Sequence, residues 1–349
     1  MSPPLAALVA KVQANCNLSD ARHARGMTLC TYLLEMRELY RWECGAALTA
    51  PLPRAEVGAW LSSREALWDA LASEDYHPLP LGDSRVDPFD AATVNAALVP
   101  QGLVYGAGVG RFGKPQFFLG ELVRDEWRDG ARVLVARREY ARDVAPAPAA
   151  YRDGTIYVRQ DALARVLGEK AEAWARKRSA GALESALDAH DYAGDPERAL
   201  AAMAEAETET LILHELGERA AGRELGPGWE RMLAGFGRRS AEVFARAARD
   251  HLADCATTLP ILLDRGARGS IHLWFGSLDG LRRELAPRLV AAYEDWRCGG
   301  GAAALRGAVA SGQEHWRGVC AQALALHERK GEAAERAVEA LAAAAGTRF

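Results

Sequence analysis

The residues whose types and spacing could do chemistry are concentrated in Leu211-Ile-Leu-His-Glu-Leu-Gly-Glu218. His214 and Glu218 are four apart, so one face of a helix presents both. Glu207 lies seven residues before His214 on nearly the same face, and Glu215 follows His214 directly. A metal ion needs ligands converging from one side, and an i, i+4 pair supplies two. A second set follows at Asp250, His251, Asp254 and Cys255. If the two helices pack antiparallel about Gly226-Pro227, with a bend near Gly235 and Gly237, His251 and Asp254 can join His214 and Glu218. Metal sites in helical bundles draw carboxylates and histidines from facing helices in this way. The expected ligand set is therefore His214, Glu218, His251 and Asp254; the plainer alternative is a buried His251 paired with its own Asp254. Glu35, Glu38 and Glu43 stand on an earlier helix. Glu35 and Glu38 share a face and could add bridging carboxylates, although a solvated acidic face explains them too.

The segment around His214 resembles the active-site helix of zincin metallopeptidases, where H-E-x-x-H gives two histidine ligands and a glutamate base. His214, Glu215, Leu216 and Gly217 match that pattern, and Glu218 stands where the second histidine belongs. The resemblance implies zinc on His214, an oxygen ligand in Glu218, and a water polarised by Glu215 as the catalytic residue. It implies a zinc hydrolase; the mixed carboxylate and imidazole ligands by themselves also suit iron or manganese, so a soluble metal-dependent protein using a divalent metal is expected. The competing reading is a non-catalytic helical scaffold or adaptor. There His214 is satisfied by a neighbouring carboxylate, and helix grooves or a sheet edge bind a protein partner.

Gly108-Val-Gly-Arg-Phe-Gly113 matches G-x-G-x-x-G, but phosphate binding needs a helix to start at once. Lys114-Pro115 followed by Gln-Phe-Phe reads as a strand, so the glycines are expected to form a hairpin turn that binds no nucleotide. His77 precedes Pro78 in a loop, His190 sits at a helix end, and His272 and His315 lie beside aromatics that suggest packing. No G-x-S-x-G, P-loop or zinc-finger spacing occurs.

The elements that would position these residues are mostly helices. A long helix is expected from Asn17 or Ser19 to Cys44, a second from Val57 to Leu71, a loop from His77 to Pro88, and a short helix over Ala91–Leu98. Four β-rich runs follow: Leu103-Val-Tyr, Gln116-Phe-Phe-Leu, Val133-Leu-Val and Thr155-Ile-Tyr-Val. Asp129-Gly130 and Asp153-Gly154 mark turns among them. Val144 to Ala150, with two prolines, reads as a loop. Asp195-Pro196-Glu197 starts a helix carrying His214, with an N-cap, a proline at the first position and an acid in the first turn. A helix from Trp229 to Thr258 and two or three more after Ser277 complete the chain. The expected fold is mainly α (α+β): a helical, bundle-like protein with a small inserted antiparallel sheet. The expected division is a helical region 1–100, a β region 101–160 and a helical region 161–349 with the candidate metal site.

Composition bounds the rest. The 349 residues are 49% hydrophobic and 26% charged, with a net charge of −4. That is an ordinary globular mixture without the basic excess of a nucleic-acid binder. Ala91 to Gly110 is uncharged, but Asn95, Pro100, Gln101 and four glycines argue against a membrane span. Six dispersed cysteines form no C-x-x-C pair, and no basic segment precedes the short apolar start. A cytoplasmic protein with reduced thiols is expected, whose partner is a small molecule or a protein.

Overall fold

The computed structural model describes residues 3–110, 113–237, 239–278 and 280–349, with the side chains of residues 3, 330 and 332 left aside. It divides into two compact units. One comprises Met1–Lys170 with Pro196–Thr208, the other Ala171–Asp195 with Glu209–Phe349. The chain is mainly helical with a β component, and the sheet is larger and less regular than the sequence suggests.

In the N-terminal unit the expected long helix is two: α1 (Pro3–His23) and α2 (Leu29–Glu43). The break falls at Thr28, whose side-chain oxygen accepts the Thr31 N–H and starts α2 afresh. α3 (Arg54–Leu71) follows. The expected loop at 77–88 holds a two-stranded hairpin, β1 (Leu79–Leu81) with β2 (Ser84–Val86). α4 (Ala91–Leu98) begins where Asp90 accepts the Thr93 N–H. Then come β3 (Leu103–Val109), β4 (Pro115–Arg128), β5 (Ala131–Arg142), β6 (Ala149–Arg152) and β7 (Thr155–Arg159). The sheet order is β3-β4-β5-β7-β6. β5 and β7 run parallel, so the expectation of a purely antiparallel sheet is corrected to a mixed one. The reason is β6: the segment read as a loop pairs antiparallel with β7 and turns the chain back beside β5. α1 lays Leu8, Val12 and Cys16, spaced four apart, against Tyr105, Phe117 and Leu119 on one sheet face. Val104, Phe118, Leu134, Ala136 and Tyr157 pack on the other. The glycine-rich segment joins β3 to β4, with Val109 opposite Pro115; its Arg111 and Phe112 lie outside the described residues.

α5 (Gln160–Lys177) and α7 (Pro196–Leu225) each contribute residues to both units. The C-terminal unit adds α6 (Ala182–Asp188), α8 (Pro227–Gly235), α9 (Arg239–Ala253), a π-helical turn over Asp254–Thr258, and α10 (Leu259–Asp264). It continues with α11 (Arg268–Ser277), α12 (Gly280–Leu285), α13 (Pro287–Arg297), α14 (Ala302–Lys330) and α15 (Ala334–Ala343). The single helix expected from Trp229 to Thr258 is thus interrupted at Phe236 and widened at Asp254. The core gathers Trp229, Phe244, Phe275, Leu289, Tyr293 and Trp316. All six cysteines are free thiols. Among the described residues no helix is long and apolar enough to cross a membrane.

Candidate functional site

In the C-terminal unit the i, i+4 spacing does bring His214 and Glu218 onto one face of α7. His214 Nε2 lies 3.1 Å from Glu218 Oε1, and its Nδ1 lies 2.8 Å from Asp254 Oδ1. The two helices come close because Gly217 has no side chain: a Cβ there would sit 2.9 Å from the Ala253 carbonyl oxygen. The π-turn that opens at Asp254 re-aims that carboxylate toward α7, a frequent use of such a bulge. Each carboxylate is also capped by an arginine. Arg249 donates to Glu218 at 2.6 Å, and Arg282 to Asp254 at 2.6 Å. Asp250 lies 3.4 Å from the same Arg249 nitrogen.

Charge follows from this geometry. Burial works against the imidazolium, but Asp254 and Glu218 outweigh it and hold the His214 pKa well above its usual value. Burial likewise opposes the Glu218 carboxylate, yet the His214 hydrogen bond and charge, with Arg249, bring it down to about 2. Asp254 is lowered against the same penalty by His214 and Arg282. Burial and the neighbouring Glu218 push Asp250 up to about 6. The group is therefore an alternating chain of charges in which both ring nitrogens of His214 are donors. A metal ligand must offer a lone pair, and a carboxylate capped by a guanidinium has little negative potential left for a cation. The residues present do not fit a metal, and among the described residues no group of three or more His, Cys, Asp or Glu side chains is disposed to hold one.

The other expected members lie elsewhere. His251 is fully buried, with Nε2 on the Arg282 carbonyl oxygen at 2.9 Å and its ring stacked on Trp316 at 4.6 Å. Burial and Arg282 bring its pKa down to about 3, so it is neutral. Asp254 pairs with His214 and Arg282, not with His251. Glu215 is half-buried, about 100° around the helix from His214. Glu207, Glu35 and Glu38 belong to the N-terminal unit. Glu35 accepts from Arg165 at 2.9 Å, and Glu38 from Arg37 at 2.8 Å and Arg41 at 3.0 Å.

Glu38 leads to a feature that the sequence did not reveal, a cavity of about 670 Å³ within the N-terminal unit. Its wall comes from the end of α2 (Glu38, Arg41, Trp42, Glu43), residues 45–48, the end of β5 (Arg138, Glu139, Tyr140, Arg142), the start of α5 (Asp161, Ala164, Arg165) and Glu197. Local bonds hold each piece. Arg41 donates to the carbonyls of Ala47 at 2.7 Å and Ala50 at 2.8 Å, folding the post-α2 turn back on its helix. Glu197 accepts from the Thr49 N–H at 2.7 Å. Asp161 accepts the Glu139 N–H at 2.8 Å, tying α5 to β5, and burial raises its pKa. Arg165 bridges Glu35 and Glu169. The Arg142 guanidinium lies over the Trp42 ring at 5.6 Å.

Behind the wall runs a buried series of charges. Lys114 donates to Asp20 at 2.6 Å and lies 3.2 Å from Asp143; Arg159 lies 3.6 Å from Asp143 and donates to Glu139; Glu139 lies 3.4 Å from Arg142. Burial pushes Asp20 up to about 6 even beside Lys114. No motif search finds such a group, since its members come from α1, Lys114 and the ends of β5 and β7. Glu139, Arg142 and Arg159 lie just beyond the β-rich runs, where nothing in the sequence marks them as buried.

Residues 7–159 match the N-terminal domain, and residues 164–345 the C-terminal domain, of what is described as "Family of unknown function (DUF6866)". No curated protein and no solved structure matches the chain significantly.

Proposed function

The chain belongs to the DUF6866 family, and we propose that it is a binding protein whose N-terminal unit takes a small organic anion into the Arg-lined cavity. One observation carries this reading. Every wall carboxylate is already held: Glu38 by Arg37 and Arg41, Glu43 by Arg64, Glu139 by Arg159, Asp161 by a backbone N–H, and Glu197 by Thr49. Arg138 is exposed at the cavity and makes no ion pair or hydrogen bond with a carboxylate among the described residues, although its charge acts on the neighbouring Asp161; its guanidinium lies 5.7 Å over the Tyr140 ring. Recognition of an acid group needs a guanidinium whose donors are not already spent on a carboxylate, and Arg138 is that group in this wall. The size is that of a small-molecule pocket, and Trp42, Leu48 and the wall alanines offer apolar surface for the body of a ligand. The acid group would lie on Arg138, with Arg142 behind it, where a planar guanidinium suits carboxylate or phosphate oxygens. In this reading the His214 network is a structural link between α7 and α9.

Calorimetric titration with a panel of aromatic and aliphatic carboxylates and phosphate esters tests the reading. At least one should bind with micromolar affinity, and Arg138→Glu should weaken it about 10- to 100-fold. A panel that binds only in the millimolar range, or an Arg138→Glu protein that binds as before, would overturn it. Retained binding with hydrolysis of an ester that zinc restores after chelation would instead favour the metal-dependent hydrolase.

A further inference from the structure

A second cavity in the N-terminal unit, of about 20 Å³, lies among Gly106, Gln116, Phe118, Arg152, Tyr157 and Arg159. Two arginines line it, and neither is fully matched. Arg159 is buried; its Nε is bonded to Glu139 and its Nη1 lies 3.6 Å from Asp143, but Nη2 has no hydrogen-bond partner. Arg152 donates to the neutral Gln116 Oε1 at 2.8 Å. Burial and the neighbouring Arg159 charge lower its pKa, against the opposite pull of Asp143 and Asp153. Phe118 and the alanines 107, 147 and 150 make the remaining wall apolar, so a charge inside is only weakly screened.

We infer that this cavity is an anion site, distinct from the larger one, that holds a single halide-sized ion between the unmatched donors of Arg152 and Arg159. Size selects the ligand. The space is little more than the ~10–15 Å³ that one water requires, which admits chloride and leaves no room for a phosphate ester or a carboxylate with a body. A neutral water would fill the space but would place no anion on Arg152, whose charge burial and Arg159 disfavour.

The first glycine of the G-x-G-x-x-G segment acquires a reason here. A Cβ on Gly108, which has φ +150°, would lie 2.3 Å from Arg152 Nη1. A Cβ on Gly106 would overlap the Phe118 ring. Arg152 thus occupies the space a side chain at Gly108 would take, and Phe118 the space at Gly106, just before the motif. The segment serves an anion through Arg152 instead of through backbone amides at a helix start.

Crystals of the full chain grown or soaked in sodium bromide test the site directly. An anomalous bromide peak beside Arg152 and Arg159 supports it; a water there, with bromide only at the surface, overturns it. In solution, exchanging gluconate for chloride at constant ionic strength should raise the melting temperature by about 2 °C. Arg152→Ala and Gly108→Ala should abolish that rise, and Arg138→Glu should retain it. An equal rise in Arg152→Ala would assign the effect to bulk salt and refute the site. If neither cavity variant folds, the bromide peak in the native chain decides. Arg138→Glu also separates this site from the larger cavity, since each can fail while the other stands.

Discussion

Replacing Asp254 by alanine is the sharpest perturbation of the His214 network. Asp254 has 1% of its side chain exposed, and it accepts from His214 at 2.8 Å and Arg282 at 2.6 Å. Alanine removes the anion and leaves two cations facing a void. Breaking a buried pair by removing one partner costs about 3–5 kcal/mol, whereas an exposed pair is worth ~0–1. His214 and Arg282 keep 23% and 30% of their side chains exposed, so water relieves part of the penalty and the lower end, about 3 kcal/mol, is expected. Two charge-assisted hydrogen bonds at ~1.5–3 kcal/mol each lead to the same range. For a unit of this size the transition should fall by roughly 6–12 °C in scanning calorimetry. The loss should also depend on pH. The His214 pKa is raised on folding, so its contribution is complete below ~6.5 and fades as pH climbs through the raised value. The Asp254 pKa is lowered, so its contribution is complete above ~3.9 and is lost as pH falls through the folded value. The difference between native and variant chains should thus peak between about pH 4 and 6.5 and shrink toward alkaline pH. A loss below about 1 kcal/mol at pH 5–6 would show that solvent screens the pair and that the network does not link α7 to α9.

The remaining expectations concern the same crossing and the two cavities. Chelation with EDTA at neutral pH should leave the melting temperature unchanged; a fall that zinc reverses would return His214, Glu218 and Asp254 to the ligand set expected from the sequence. Gly217→Ala should destabilise the chain by about 1–3 kcal/mol in urea unfolding, because its Cβ would meet the Ala253 carbonyl at 2.9 Å; an unchanged midpoint would mean that the helices separate at no cost. Arg138→Glu should weaken organic-anion binding without affecting the chloride response, and Arg152→Ala should do the reverse.

What the sequence made legible were features specified locally. α7 starts at Pro196 with Glu197 in its first turn, where the Asp195-Pro196-Glu197 signal put the start, and it carries His214 and Glu218 on one face. Asp129-Gly130 and Asp153-Gly154 adopt positive φ at both residues, as two-residue hairpin turns demand. Features that depend on distant partners were not legible. Period 2 marks β5 and β7 as strands but does not say that they lie side by side and parallel, because β6 reads as a proline-bounded loop. The break between α1 and α2 carries only a threonine cap, which competes with a helical pattern on both sides. At the candidate site, spacing placed Glu218 beside His214, and the idea of facing helices brought Asp254 to the other nitrogen. It could not foresee that Arg249 and Arg282 would arrive on the two carboxylates.

Those arginines change the chemistry, and the same logic governs both units. A histidine among carboxylates is a metal site, a general base or an ion pair depending on what lies on the far side of each carboxylate. Open space leaves lone pairs for a cation, whereas a guanidinium consumes them. In the C-terminal unit the charges close on one another: His214 between Glu218 and Asp254, each of those under an arginine. In the N-terminal unit they do not close. The series from Asp20 to Arg142 leaves Arg159 Nη2 and Arg142 Nε, with Glu139 Oε2 and Asp143 Oδ1, without hydrogen-bond partners, and Arg138 and Arg152 hydrogen-bond to no carboxylate among the described residues. Burying so many charges is costly unless each is matched, and unpaired guanidinium donors of this unit lie at its two cavities. An anionic ligand supplies the missing partners at both, which is why the binding chemistry is assigned to the unit that holds no part of the histidine motif.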